Sequence, residues 1–228
     1  MELALPRPLR TLTFVAAQAL AVALVVRAVI DGAWWQVALG VLLGHLSVDA
    51  VTLLVHWVFD NYFSPSTPVV GRTVFYFREH HVQPMAMFER DVIDNNFENA
   101  LFTLVWVLPC LALGAGPVGS ALIGWGSLLG VYITTIHRHA HLERPGLLAW
   151  ALQRSALLVD KSHHDAHHRG EGVNYGLCAG WVDRIFDALR VLELLELVLF
   201  KLAGAVPVHP RLVATRRASR DRSAGGEP

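Results

Sequence analysis

Four long apolar runs alternate with polar segments along this chain. A helix needs about 20 apolar residues to cross the hydrocarbon core of a bilayer. The first run extends over about 11–30, broken only by Gln18 and Arg27, and the turn Asp31-Gly32 separates it from a second over 34–59. A third covers about 99–113 and a fourth 118–136, joined by the turn GAGPVG. The third is the shortest. This pattern predicts an all-α integral membrane protein with four transmembrane helices in two hairpins. No small-residue cleavage site follows the first run, so it reads as a retained span. Beyond the fourth run, 147–159 and 188–203 have helical composition but are too short or too charged to cross. They are expected at the membrane interface or as a helical cap on one side. Residues 1–212 read as one membrane domain, and 213–228, small and basic, as a disordered tail.

Charge placement adds an orientation. Both lysines and every arginine except Arg27 lie before the first run, between the second and third, or after the fourth. Positive residues stay on the cytoplasmic side, so both chain ends and the 60–98 segment are expected there. Arg27, near the outer end of its span, can extend to the headgroups.

Composition agrees with membrane spans. Apolar residues make up 54% of the chain and charged residues 17%, against about 45–50% and 25% in soluble domains. The formal net charge is zero, which gives no reason to expect nucleic acid as a partner. The two cysteines, Cys110 and Cys178, cannot form a disulfide framework and are expected to be reduced.

Histidine placement carries the chemistry. Of twelve histidines, ten lie between His56 and His168. They fall as His56 with Asp60, His80-His81, His137 with His141, and His163-His164 with His167-His168. On the topology above, each group sits at or beyond a cytoplasmic helix end. Residues three or four apart share a helical face, so His137 and His141 can address one ion. In HHDAHH, His163/His167 and His164/His168 form two such columns. Together His56, His80, His81, His137, His141, His163, His164, His167 and His168 offer nine imidazole nitrogens. One six-coordinate ion cannot use nine, so two ions are expected. Imidazole suits Zn, Cu, Fe and Ni alike, and iron is favoured only by the use of O2 near lipid. His139 and His209 are left outside the set.

Polar residues nearby are candidates for supporting roles. His45, Asp49, Thr52, His56 and Asp60 share one face of the second run. Asp49 could hydrogen-bond a ligand histidine or pair with His45; Asp60 could be metal-linked or a helix-end residue. Asp91 and Asn96 could complete a coordination sphere, directly or through water, although Asp91 would equally cap a helix. Arg72, Arg78 and Arg138 could touch lipid phosphate, although a plain role in the cytoplasmic excess of positive charge is the expected one for each. Trp57, Phe59, Tyr62 and Phe63 could line an apolar tunnel.

The motifs HW-x2-D (His56 to Asp60), REHH-x2-P (Arg78 to Pro84), D-x4-N (Asp91 to Asn96), H-x3-H (His137 to His141), HH-x2-HH and NYGLCAGW (Asn174 to Trp181) together resemble the Kua-type lipid desaturases. That family comprises plasmanylethanolamine desaturases and plastid acyl-lipid desaturases, and the resemblance covers about 45–190. It implies two iron ions held by the nine histidines above, O2 as co-substrate, a membrane phospholipid substrate and a separate electron donor such as a ferredoxin or cytochrome b5-like protein. The expected reaction is desaturation of the 1-O-alkyl chain of an ether phospholipid to a vinyl ether. Desaturation or hydroxylation of an acyl chain is the alternative within the class. A haem-binding membrane electron carrier and a metal-binding adaptor without turnover are alternatives outside it. His139 stands where the family has an aromatic, and the segment RGEGVNYG is short; both bear on substrate choice.

Overall fold

The computed structural model describes residues 5–170, 172–209, 211 and 216. The expected tail, 213–228, therefore lies outside the described residues apart from Arg216. Every regular element among those residues is helical. Helix α1 (Arg7–Asp31) opens with Pro8 in its first turn, and α2 (Trp34–Asn61) follows after a two-residue break. Helix α3 (Gly71–Val82) and a short 3-10 helix (Pro84–Phe88) lead into α4 (Val92–Leu113). Next come α5 (Pro117–Val131) and α6 (Ile133–Ala140), then α7 (Leu147–Arg154), α8 (Lys161–His168), α9 (Trp181–Ala188) and α10 (Val191–Ala203).

Helices α1, α2 and α4 are each long and apolar enough to span a membrane, and α5 with α6 forms a fourth candidate bent by 54°. The sequence expectation of four spans therefore holds if the bent pair counts as one. Two boundaries differ. The fourth run breaks at Tyr132, so the segment carrying His137 turns away from the α5 axis. The third span starts at Val92 rather than about residue 99, because Asp91 caps it by accepting the Asp94 N–H at 2.9 Å. Polar Asp94, Asn95, Asn96 and Glu98 hide that first stretch of helix from an apolar-run reading.

The hairpin partners α1 and α2 are splayed, and α5 sits between them against both. Small residues permit this. A Cβ at Gly40 would lie 2.5 Å from the Val118 carbonyl, and one at Gly44 would lie 2.6 Å from the Leu122 carbonyl. Such close backbone approach is how helices associate where lipid removes the hydrophobic incentive. Outward positions such as Val22, Val29, Leu101, Val105 and Trp106 are exposed and apolar, as a lipid-facing surface requires. The ends of α2 and α6, with α3, α8 and the 173–180 loop, enclose the histidines at one end of the bundle.

Candidate metal centre

Two groups of potential ligands form at that end. His80, His137, His141, His164 and His168 make one, and His56, Asp60, His81 and His167 the other; within each group the ligand atoms lie within 4.8 Å of one another. Helix α8 serves both, because His164 and His168 face the first group and His167 the second. In the five-histidine group, Nε2 atoms approach to 2.7 Å for His137–His164 and 2.9 Å for His141–His164. His80 lies 3.0 Å from both His141 and His168. In the second group, His56 and His167 are 3.1 Å apart, and Asp60 Oδ2 stands 3.2–3.4 Å from His81, His56 and His167.

Hydrogen bonding on the far side of two rings shows what these short contacts mean. His56 Nδ1 lies 2.9 Å from the Tyr175 carbonyl, and His167 Nδ1 lies 3.0 Å from the Val173 carbonyl. A carbonyl only accepts, so each Nδ1 carries the proton and donates it. In a neutral ring the Nε2 is then a bare lone pair. Two lone pairs aimed at each other across 3.1 Å repel unless a cation stands between them. Asp60 adds a carboxylate whose Oδ1 is buried without a hydrogen-bond partner. The donor set thus fits a metal ion, and backbone carbonyls orient the rings as metal-site histidines usually require.

Burial keeps the imidazoles in the ligand form. Burial, reinforced by His141 and His168, pushes His80 down to about 2, and burial with His81 and His141 pushes His168 to about 3. His141 falls to about 4, chiefly by burial and then by Lys161. His164 is likewise held well below the usual imidazole range, again chiefly by burial. All four are neutral near pH 7, and metal binding needs no proton removed from them.

A lipid desaturase domain matches residues 45–210, which contain both groups. The chain belongs to the lipid desaturase family. It is similar to the plasmanylethanolamine desaturase of Myxococcus xanthus, at 29% identity over 84% of this chain and 70% of that protein. Plasmanylethanolamine desaturase 1 of Mus musculus is 30% identical over 75% of this chain and 68% of that protein. The chloroplastic fatty acid desaturase 4 of Arabidopsis thaliana is 31% identical over 72% of this chain, which spans only 52% of that longer relative. No solved structure matches the chain.

Eight of the nine histidines expected to bind metal come together in this desaturase domain. His163 does not. Its Nε2 hydrogen-bonds Asp183 at 3.1 Å, and Asp183 in turn accepts the Gly176 N–H. Successive helical residues are about 100° apart, so His163 sits roughly 140° round α8 from His168 and faces away from the first group; it lies nearer the direction of His167, but its Nε2 is taken by Asp183 instead. A Cβ at Gly180 would meet the His163 ring at 2.6 Å, and Gly180 has φ of +72°, so glycine is required there twice over.

The carboxylates also sort differently from the sequence expectation. Asp49 touches neither a ligand histidine nor His45; it accepts backbone N–H groups of Ala179, Gly180 and Val182 at 2.8–2.9 Å. His45 stacks on Trp181 instead, with ring centroids 4.7 Å apart. Asp91 caps α4 and pairs with Arg7 at 2.6 Å, away from both groups. Asn96 is buried and donates to Val92 and Thr135, also away from them. Asp60, open between two roles in the sequence, stands among the ligand atoms. Arg78 donates to the Phe63 carbonyl rather than standing free for lipid. Sequence reading missed Asp183 and the carbonyls of Val173 and Tyr175. The NYGLCAGW motif was the available signal, since it holds one of those carbonyls and adjoins the rest.

Proposed function

We propose that this chain is an O2-dependent lipid desaturase that holds two iron ions, one in each group of ligands. Its preferred substrate on this reading is the 1-O-alkyl chain of an ether phospholipid, converted to a vinyl ether. The observation that carries the reading is the pair of bare imidazole lone pairs facing each other at His56 and His167, repeated as short Nε2 contacts among five further histidines. The ether substrate draws its support from two relatives named for plasmanylethanolamine. Acyl-chain desaturation is the second reading, favoured by the plastid relative. A haem carrier is opposed by adjacent clustered rings, which leave no room for a macrocycle between them. Cytoplasmic placement of both chain ends and the histidines rests on the arginine and lysine distribution, and residues 1–212 are taken as one functional unit.

Removing two hydrogens from adjacent carbons while O2 becomes two waters needs two further electrons and two protons. No nicotinamide or flavin fingerprint occurs in the chain, so the electrons are assigned to a separate donor protein. Iron, when bound, supplies the activation of O2 and the cleavage of C–H bonds. The polypeptide's own work is orientation and exclusion. Tyr175 and Val173 carbonyls fix two ring planes, and Asp60 lends negative charge to one group only. A cavity of about 450 Å3 runs to His80 and His137, with Phe77, Phe102, Ile133 and Leu177 among its lining. These side chains give the cavity an apolar wall that suits an extended hydrocarbon, beside polar lining from Glu79, Arg90, Asp94 and Glu98. Placing one pair of carbons beside the ligands decides which bond is oxidised.

Expression in a host that makes ether phospholipids but no plasmalogens tests the reading. Acid-labile vinyl ethers are expected with the wild type and absent with His164→Ala. New acyl double bonds without vinyl ether would establish the second reading instead.

A further inference from the structure

Helix α3 divides two spaces that have no lining residue in common among the described residues. Thr73, Tyr76 and His80, spaced to share one side of the helix, border the cavity of about 450 Å3. Arg78 and His81, three apart on another side, border a separate space of about 170 Å3. Asp60 at the end of α2, with Val208 and His209 beyond α10, completes the smaller space. The adjacent residues His80 and His81 therefore meet different approaches. The larger cavity reaches the five-histidine group, and the smaller one reaches the group of His56, Asp60, His81 and His167.

Exposure falls along the smaller space in one direction. Val208 is 54% exposed and His209 is exposed, whereas Asp60 is buried. The space thus opens outward beside 208–209 and ends on a member of the ligand group. Its mouth is held in place. The Val208 N–H donates to the Asn61 carbonyl at 3.1 Å and the His209 N–H to Asn61 Oδ1 at 2.9 Å; Asn61 itself is buried, next to Asp60. Its wall is polar apart from Val208. Arg78 donates through Nη2 to the Phe63 carbonyl, while its Nε is buried with no hydrogen-bond partner among the described residues. A buried donor is rarely left unsatisfied, and an internal water is the usual partner where protein supplies none.

We propose that this space is an aqueous port to the Asp60 group, admitting water and polar molecules of similar size and excluding lipid. The proposal rests on the lipid-desaturase reading above, in which two protons must arrive and two waters leave while a lipid chain fills the larger cavity. Hydrocarbon in that cavity can carry neither. About 170 Å3 holds several waters at about 30 Å3 each, and no phospholipid. Lipid and water then approach the ligand groups from different sides of α3.

Azide, a linear anion small enough for the port, tests this on the full chain loaded with iron(III), or with copper(II) where iron is not retained, since imidazole ligates either. Binding is followed by stopped-flow absorbance of the azide-to-metal charge-transfer band. The association rate is expected to fall severalfold from Val208→Ala through wild type to Val208→Trp. Ala86→Trp, which adds bulk to the lining of the larger cavity, should leave that rate unchanged and suppress lipid desaturation. Metal content and thermal unfolding check that each variant is folded, and Val208→Ala carries the comparison alone if tryptophan is not accommodated. A rate indifferent to the side chain at 208, a rate lowered by Ala86→Trp, or no azide binding by wild type overturns the proposal. A rate that follows the size of residue 208, without double-bond formation in any lipid, sinks the proposed function and keeps the port. Double-bond formation with a rate indifferent to residue 208 does the reverse.

Discussion

Asp49, within α2, accepts the backbone N–H of Val182 at 2.8 Å, and with it those of Ala179 and Gly180. Carboxylate at the first turn of α9 satisfies donors that the helix itself cannot, and it favours the positive end of the helix dipole. The same loop, a few residues earlier, supplies the Val173 and Tyr175 carbonyls that orient His167 and His56. Asp49 thus acts on the His56, Asp60, His81 and His167 group through the backbone. Asp49→Ala is expected to cost about 2–3 kcal/mol of stability from buried unsatisfied donors. It should also weaken metal binding by about tenfold or more, the usual range for a lost outer hydrogen bond. Metal stoichiometry by elemental analysis beside thermal unfolding checks both; full metal retention with lowered stability would limit Asp49 to a structural role.

His163 and His164 are neighbours on α8 with opposite duties. His164 is buried among four other imidazoles, while His163 braces Asp183 and the Gly176 N–H. His164→Ala should lose metal from the five-histidine group. His163→Ala should keep its metal and lose about 1–2 kcal/mol, as for one buried hydrogen bond broken. His163→Gln, which can still reach Asp183 with a donor, should restore part of that. Equal metal loss in the two alanine variants would contradict the assignment.

The spans and the convergence of most of the histidines at one end of the bundle were legible because both are written in spacing: run length for lipid, three- and four-residue intervals for shared faces. His163 was misplaced for a related reason. An interval of four pairs it with His167, but it does not say that His164 and His168 have already turned α8 toward one side. The start of α4 was hidden by Asp94, Asn95, Asn96 and Glu98, which interrupt the apolar run while continuing the helix. The partners of Asp49 were invisible in principle. They are backbone N–H groups about 130 positions away, and an amide donor leaves no mark in residue identity.

Acid should act on the metal-free protein in a defined window. Unfolded histidines take up protons near pH 6.5. In the folded protein His141 waits until about 4, His168 until about 3 and His80 until about 2, burial being the first cause for each. Between those values the unfolded chain binds more protons than the folded one, so stability rises with pH. On acidification, stability is therefore expected to begin falling near pH 6.5 and to keep falling toward pH 4. Bound metal competes with protons for the same nitrogens, so the loaded protein should stay more stable than the apo form at each pH until the ion is released. Thermal unfolding of apo and loaded protein from pH 5 to 8 measures the slope; a flat apo profile would contradict neutral, buried imidazoles.

Contact between α2 and α5 links the membrane bundle to the two groups of potential ligands. Helix α2 carries His56 and Asp60, whereas α6, joined to α5 at Tyr132, carries His137. The separation of α2 from α5 therefore governs how the two groups of ligands meet. Gly40 has no room: an added Cβ would stand 2.5 Å from both the Val118 carbonyl and the Ala121 side chain. Relief requires one helix to move, because a backbone carbonyl cannot rotate away as a flexible side chain can. Gly40→Ala is expected to cost about 1–3 kcal/mol, as overpacking typically does. It should also lower metal content, although Gly40 lies four helical turns from His56 on α2. Gly146→Ala is the control, since nothing lies within 4 Å of a Cβ there. Unfolding temperature and bound metal measured on the two variants distinguish a bundle that sets the site from one that merely carries it: in the first case both quantities fall for Gly40→Ala and neither falls for Gly146→Ala.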